Sequence, residues 1–570
     1  MKKLIAALVA LALLLTACAL AEDEWDHPST PAETSGDWEY RVLEDGTVEI
    51  RDYYGNAETL DIPSVIDGHT VTVIGDRAFF WCESLSSVTI PEGVISIGSQ
   101  TFSECKSLVS VTIPDSVKSI GELAFKHCKS LSSVTIPDGV TSIGNETFSD
   151  CASLSSVTIP GSVTRIDDLA FANCESLSSV TIPEGVTSIG FEAFFRCASL
   201  SSVTIPGSVT RIDDWAFGDC VSLSSVTIPG GVSSMGKNPF AGCKNLATIN
   251  VSVDNGYFEV TGGVLFSTPD RRLVCCPCAF PSETCAIPEG TQVIGSDAFL
   301  RCERLTSVAI PEGVTSIGDG AFYGCKSLEA VIIPDGVTSI GRHTFSDCSN
   351  LTSITIPDSV TEIGDSAFSD CSSLLSVKLP GGITGIGESM FSDCESLISV
   401  TIPEGVTSIK RYAFSGCKSL ETVAIPEGVT SIGDEAFYEC YRLASVTISE
   451  GVTSIGSYAF YRCESLSSVT IPGSVKDIGR KAFCYCVNLA SVTMLDGVEE
   501  IGGEAFSECE SLASVTIPKS VTNIGTWAFA GISRFTIIDD PLVFTVEAGS
   551  YAEEYCTQNG YMYRYPGEAD

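Results

Sequence analysis

Histidine is nearly missing: the chain of 570 residues holds four, His27, His69, His127 and His343. So few imidazoles argue against a chemistry built on histidine bases or on His-rich zinc centres. Basic residues are scarce as well, 32 Lys and Arg against 72 Asp and Glu, which leaves a formal charge of −40. A polyanion of that density repels phosphate backbones, because binding them requires Lys and Arg to displace counterions; nucleic acid is excluded as a partner. The nucleophile-elbow, P-loop, dinucleotide-binding and HExxH patterns are absent too, and with them common routes to hydrolysis, phosphoryl transfer and hydride transfer. Charged residues make up 18% of the chain against 44% hydrophobic. That composition is too apolar for disorder, and the length exceeds what one ordinary core supports, so the chain is several domains or one repeat.

An apolar run from Leu4 to Leu15 follows Lys2 and Lys3. It has the length of a signal-peptide core and falls short of a comfortable membrane span. The next residues, Leu15-Thr16-Ala17-Cys18, resemble a bacterial lipobox. That resemblance implies removal of residues 1–17 as a lipoprotein signal peptide and lipidation of Cys18. Ordinary secretion, with cleavage after Ala21, is the other reading. Residues 18–36 are acidic and rich in Pro, Ser and Thr, which predicts a flexible linker.

Phenylalanine carries the signal for the fold. It recurs at 79, 102, 125, 148, 171, 194, 217 and 240, then at 299, 322, 345, 368, 391, 414, 437, 460, 483, 506 and 529, in steps of 23 inside each block. One unit runs from Leu131 to Gly144 and on through Phe148 to Cys151. Val134 and Ile136 alternate with Ser133 and Thr135, which predicts a short strand with its branched residues turned inward. Pro137 ends the strand, having no N–H to donate, and opens a turn that closes at Gly139. Val140 and Ile143 supply a second inward segment. The small residue often preceding the Phe (Ala78, Ala124, Ala170) predicts, with the Phe and Cys, a single helical or 3₁₀ turn. About eight inward side chains per coil cannot be buried by one coil alone, so stacking is obligatory.

This unit resembles the BspA-like variant of the leucine-rich repeat, found in surface proteins of anaerobic and host-associated bacteria. The resemblance implies an α/β, right-handed solenoid of about 19 coils of 23 residues, with a parallel sheet on one face and short helical turns on the other. It also implies adhesion to host matrix proteins or to other cells. The chain departs from ordinary leucine-rich repeats in lacking an asparagine ladder and in using Val, Ile, Phe and Cys where others use Leu.

The predicted organisation follows from breaks in the period. Residues 37–75 read as an N-terminal cap hairpin and first coil, 76–251 as a first repeat block and 287–534 as a second. Between them, 252–286 read as a protruding hairpin insertion, because the step from Phe240 to Phe299 is 59 residues. Residues 535–570 read as a C-terminal cap with a short helix and a closing strand.

Eighteen of the 25 Cys fall three residues after a repeat Phe. So many copies describe a packing solution, with thiols acting as small buried hydrophobes. Parallel Cβ vectors on neighbouring coils disfavour disulfides, so these thiols are expected to stay reduced. Counting one period back from Val308 reaches Cys285, an ordinary inward strand position. Cys275, Cys276 and Cys278 remain as a group whose spacing is unlike a zinc ribbon; a local disulfide is the alternative. No metal, cofactor or catalytic residue is assigned.

Two surfaces compete for a ligand. The sheet face is a nearly uniform carpet of Ser and Thr, which reads as solubility and ladder packing, with ordered water as a formal alternative. Differences between copies gather instead on the turns, where Arg411, Tyr412, Tyr438, Tyr441, Arg442, Tyr458, Tyr461 and Arg462 fall on successive coils. Residues 410–481 hold eight basic and eight acidic side chains, a neutral window in a strongly acidic chain. Tyr and Arg anchor interfaces; alternatively these tyrosines lie over neighbouring coils and seal the Phe layer. The reading is a lipid-anchored, extracytoplasmic, non-catalytic protein at the bacterial surface, binding an extracellular protein or glycan and touching the membrane only through its lipid. A structural scaffold or spacer without a ligand is the competing class.

Overall fold

The computed structural model describes residues 32–532 and 542–568. The signal peptide, Cys18, most of the linker and the first residues of the C-terminal segment lie outside the described residues. Within them the chain winds as a solenoid of about 22 turns. That exceeds the expected 19, because the insertion supplies a coil of its own and a partial coil closes each end.

Each coil contributes two short strands. The first series, Ser87–Thr89, Ser110–Thr112 and onward, pairs in parallel with Ser87 opposite Ser110 and Val88 opposite Val111. The second, Ser96–Ile97, Ser119–Ile120 and onward, pairs in the same manner. The segment after the Pro turn is therefore a second parallel sheet, stacked at the usual strand spacing of about 4.8 Å.

The third side departs from the predicted helical turn. Among the described residues the one helix is Tyr551–Asn559, at the C-terminal end. Each Phe turn instead carries two residues of left-handed backbone, for example Gln100 (φ 54°) and Glu104 (φ 64°), four apart. Left-handed backbone costs an L-residue about 1–2 kcal/mol. The return is a third ladder of hydrogen bonds between coils: Gln100 N–H donates to Glu122 O at 2.9 Å, Phe102 N–H to Ala124 O at 2.7 Å and Glu104 N–H to Lys126 O at 2.9 Å. One coil meets the same demand with Gly320 and Gly324.

The Phe rings fill the space behind this ladder. Neighbouring rings within a block stack at 4.8–5.8 Å with planes within 13° of parallel. The cysteines do more than pack. Cys105 Sγ donates to Phe79 O at 3.1 Å, and the column repeats that contact coil after coil, always 26 residues back. Each Phe carbonyl thus accepts from the Cys N–H of its own coil and from the thiol of the next. Burial pushes these thiols well above their ordinary pKa.

The ends of the column are covered. Trp38, in the hairpin of Trp38–Val42 with Val48–Tyr53, meets Phe79 edge-on at 6.1 Å. Phe544 meets Phe529 edge-on at 5.1 Å. The helix Tyr551–Asn559 is capped by Ser550, whose side chain accepts from Glu553 N–H, and stops at left-handed Gly560.

The insertion is built into the stack and does not protrude as a free hairpin. Phe258–Thr261, Val264–Ser267 and Arg272–Cys275 form an antiparallel unit whose last strand joins the second sheet, Leu273 opposite Ile294. Leu265, Val274 and Cys275 pack on the first block, and Val264, Leu273 and Cys276 on the second. Two ties reach across it: Trp215 Nε1 donates to Asp297 Oδ2 at 3.0 Å, and Arg301 pairs with Asp219 at 3.1 Å.

Candidate functional site

The turn that buries Phe also decides what is displayed. Phe437, Phe460 and Phe483 point inward and are fully buried, so the next residue in each coil, Tyr438, Tyr461 and Cys484, points outward. Tyr438 and Tyr461 are half-buried, stacked in parallel at 5.1 Å and 7°. Cys484 is small and leaves room beside Tyr461, where Tyr485 leans edge-on at 5.6 Å. Tyr458 meets Tyr461 at 5.5 Å from the other side. Four rings thus form one continuous island. Tyr458, Arg462 and Tyr485 all sit on left-handed backbone, with φ of 57°, 56° and 61°.

Cations are laid over these rings. The Arg462 guanidinium stands 5.8 Å from the Tyr461 ring and 5.7 Å from the Tyr485 ring, while its Nη1 bonds Glu439 at 3.4 Å. Lys481 stands 5.6 Å from the Tyr458 ring and pairs with Glu504 at 3.2 Å. Burial raises the pKa of Tyr438 and Tyr461, and raises that of Tyr441 together with the Glu439 carboxylate, so these phenols stay protonated at neutral pH. Tyr412 forms a separate unit one coil earlier. Arg411 lies 4.3 Å over its ring, donates to its Oη at 2.6 Å and pairs with Glu435 at 3.3 Å.

The eight sequence-selected residues therefore divide. Tyr438, Tyr458, Tyr461 and Arg462 come together, and Tyr441 joins them through Arg462 and Glu439. Arg411 and Tyr412 flank the island. Arg442 is exposed and has no ion-pair partner among the described residues. Sequence reasoning missed Tyr485 and Lys481. Both were findable by period, since 485 is one repeat after Arg462 and 481 one repeat after Tyr458. The stacking of Tyr438 on Tyr461 also answers the alternative reading in part, since these rings cover each other along the axis as well as facing outward.

The remaining candidates stay apart. His127 lies between Glu104 and Asp150, 3.6 Å from each, and His343 is exposed on a distant coil. Among the described residues no group of three or more His, Cys, Asp or Glu is arranged to hold a metal ion. No described helix is long and apolar enough to cross a membrane.

Comparison with known proteins agrees with this geometry. Residues 53–177, 164–262, 292–421 and 407–536 match the model of the BspA type leucine rich repeat region. Among solved structures, the chain is similar to a leucine rich cell surface protein from Faecalibacterium prausnitzii A2-165, at 34% identity over 74% of this chain and 95% of that one, TM-score 0.45. It is also similar to leucine-rich repeat proteins from Eubacterium ventriosum ATCC 27560 (26% identity, 73% and 94% covered, TM-score 0.44) and Bacteroides ovatus ATCC 8483 (23%, 86% and 99%, 0.35). No curated protein matches the chain.

Proposed function

The chain belongs to the BspA-type leucine-rich repeat family, and from that premise we propose that it is a non-catalytic binding protein of the bacterial cell surface. Its partner is an extracellular protein or glycan, on host matrix or on other cells, held at the island of Tyr438, Tyr458, Tyr461 and Tyr485 with Arg462 and the flanking Arg411, Tyr412, Tyr441 and Arg442. The observation that carries this reading is an aromatic and cationic cluster, neutral over residues 410–481, on a protein of charge −40. Such rings bring large rigid area at little cost in side-chain entropy, and their hydroxyls and the guanidinium supply directed polar contacts.

A location outside the cytoplasm is supported by the Faecalibacterium relative, described as a cell surface protein. The lipobox-like Cys18 would tether the solenoid to the membrane, and the repeat-scaffold character of the family supports a role without catalysis. Fold by itself does not supply the partner. The scaffold reading draws on one feature, the mutual stacking of Tyr438 and Tyr461, which occupies ring faces a ligand would use.

A pull-down from host and community extracts separates the two. A binding protein retains a component that saturates with load and elutes with excess free protein. Nothing saturable retained would leave the spacer reading standing.

A further inference from the structure

The Phe column is broken at one rung, and the break is chemically distinct. One period before Phe299 stands Cys276, and the structure puts it in the place of the missing phenylalanine. Its N–H donates to Ala298 O at 2.7 Å, as Phe299 N–H does to Ala321 O at 2.7 Å in the next coil. Cys302 reaches back to the Cys276 carbonyl 26 residues earlier, as every column thiol reaches back to a Phe. A thiol where other coils hold a phenyl ring leaves the rung under-filled, and further sulfur atoms gather there. Cys285 enters from the strand Thr284–Ala286 and Cys302 from the next coil, each about 3% exposed.

The contacts differ from those of the column. Elsewhere the Cys thiol sits 3.1–3.3 Å from its carbonyl, but the Cys302 contact stretches to 3.7 Å. The Cys285 and Cys302 thiols are both turned to the Cys276 sulfur as S–H donors. A column thiol has a carbonyl as its acceptor and a parallel neighbour one coil away, a poor geometry for a disulfide torsion. At this rung, sulfur faces sulfur from different elements.

We propose that Cys276 and Cys285 form an oxidisable dithiol, a modification site at which a small hydroperoxide forms a disulfide that staples the joint between the two repeat blocks. In the first step the Cys276 sulfur attacks a peroxide oxygen, the O–O bond breaks, and Cys276 becomes a sulfenic acid as one water leaves. In the second the Cys285 sulfur attacks the Cys276 sulfur, the S–O bond breaks and a second water leaves. Two thiols and one hydrogen peroxide give one disulfide and two waters, with two electrons passing from sulfur to oxygen. Cys276 is the attacking group because two S–H donors favour its thiolate, lowering its pKa, whereas burial without such donors raises the column thiols.

The test uses the full chain. Native protein is treated with hydrogen peroxide, unfolded, alkylated at the remaining thiols and digested with trypsin without reduction. Cys275, Cys276, Cys278 and Cys285 fall in one fragment, 273–301, and Cys302 in another, 302–304. Fragment 273–301 should appear two hydrogens lighter, with fragmentation placing the bond between Cys276 and Cys285. Free Cys276 should disappear at least about tenfold faster than the column thiols. A bond joining 273–301 to 302–304 overturns the assignment, as does oxidation spread evenly over the column or a fully alkylated 273–301. The wild-type map alone separates these outcomes; Cys285→Ser, checked for an unchanged circular dichroism spectrum, should abolish the bond.

Discussion

Asp297 offers a quantitative test of the joint between the blocks. Its carboxylate accepts from Trp215 at 3.0 Å, and its backbone carbonyl accepts from Asn238 Nδ2 at 2.8 Å. Burial pushes its pKa from the ordinary 3.8 up to about 6, with Asp319 and Asp214 adding to the rise while the Trp215 bond and Lys237 oppose it. A carboxyl with a raised folded pKa holds a proton that the unfolded chain has already lost between about pH 4 and 6. Stability from this group therefore falls as pH rises through that window, and above it the folded state carries the full penalty. A rise of about two units corresponds to about 3 kcal/mol, reduced to about 2 by residual contact with water. Asp297→Asn keeps an acceptor for Trp215 and removes the charge. Urea titrations followed by circular dichroism should show the variant more stable by about 2 kcal/mol at pH 7.5, with the advantage gone by pH 4. An equal effect at both pH values, or destabilisation at pH 7.5, would refute the electrostatic reasoning.

Other outcomes follow from the column and the turn face. Phe368, between Phe345 at 5.7 Å and Phe391 at 5.4 Å, should lose about 3–5 kcal/mol on replacement by Ala, measured by urea unfolding. The exposed Phe80, replaced in the same way, should change stability by no more than about 0.5 kcal/mol. Native column thiols such as Cys371 and Cys417 should resist iodoacetamide at pH 8, since burial raises their pKa, and react fully in urea. Tyr438→Ala with Tyr461→Ala removes one stacked pair and should lower stability by about 1–2 kcal/mol in urea titrations; a much larger loss would make these rings structural.

The repeat was legible because its inward residues are large and unbroken: a Phe every 23 residues leaves one arrangement in which all are buried. What escaped was backbone. Trp81 and Leu123 occupy left-handed positions with φ of 63° and 56°, and residues so unlike glycine give no warning of it. A turn of that kind, stabilised by coil-to-coil bonds, therefore reads from the sequence as a helical one. The thiol-to-carbonyl bond was hidden for a similar reason, since its acceptor is a main-chain oxygen 26 residues away. Cys276 was within reach of simple counting from Phe299, but a Cys in a Phe position does not advertise itself. For the candidate site, the outward tyrosines were readable from variation between copies. Their stacking, and the approach of Tyr485, depend on the small Cys484 beside them. Contacts such as Trp215 with Asp297, 82 residues apart, come from the insertion entering the stack and have no local signature.

The most direct measurement is a side-by-side array of matrix proteins and glycans, probed with the purified solenoid and with the Tyr438→Ala, Tyr461→Ala form. Binding at the tyrosine island predicts saturable capture of at least one component by the native protein, and a loss of about tenfold or more in affinity for the variant. Equal capture by both proteins, or no saturable capture by either, would contradict it.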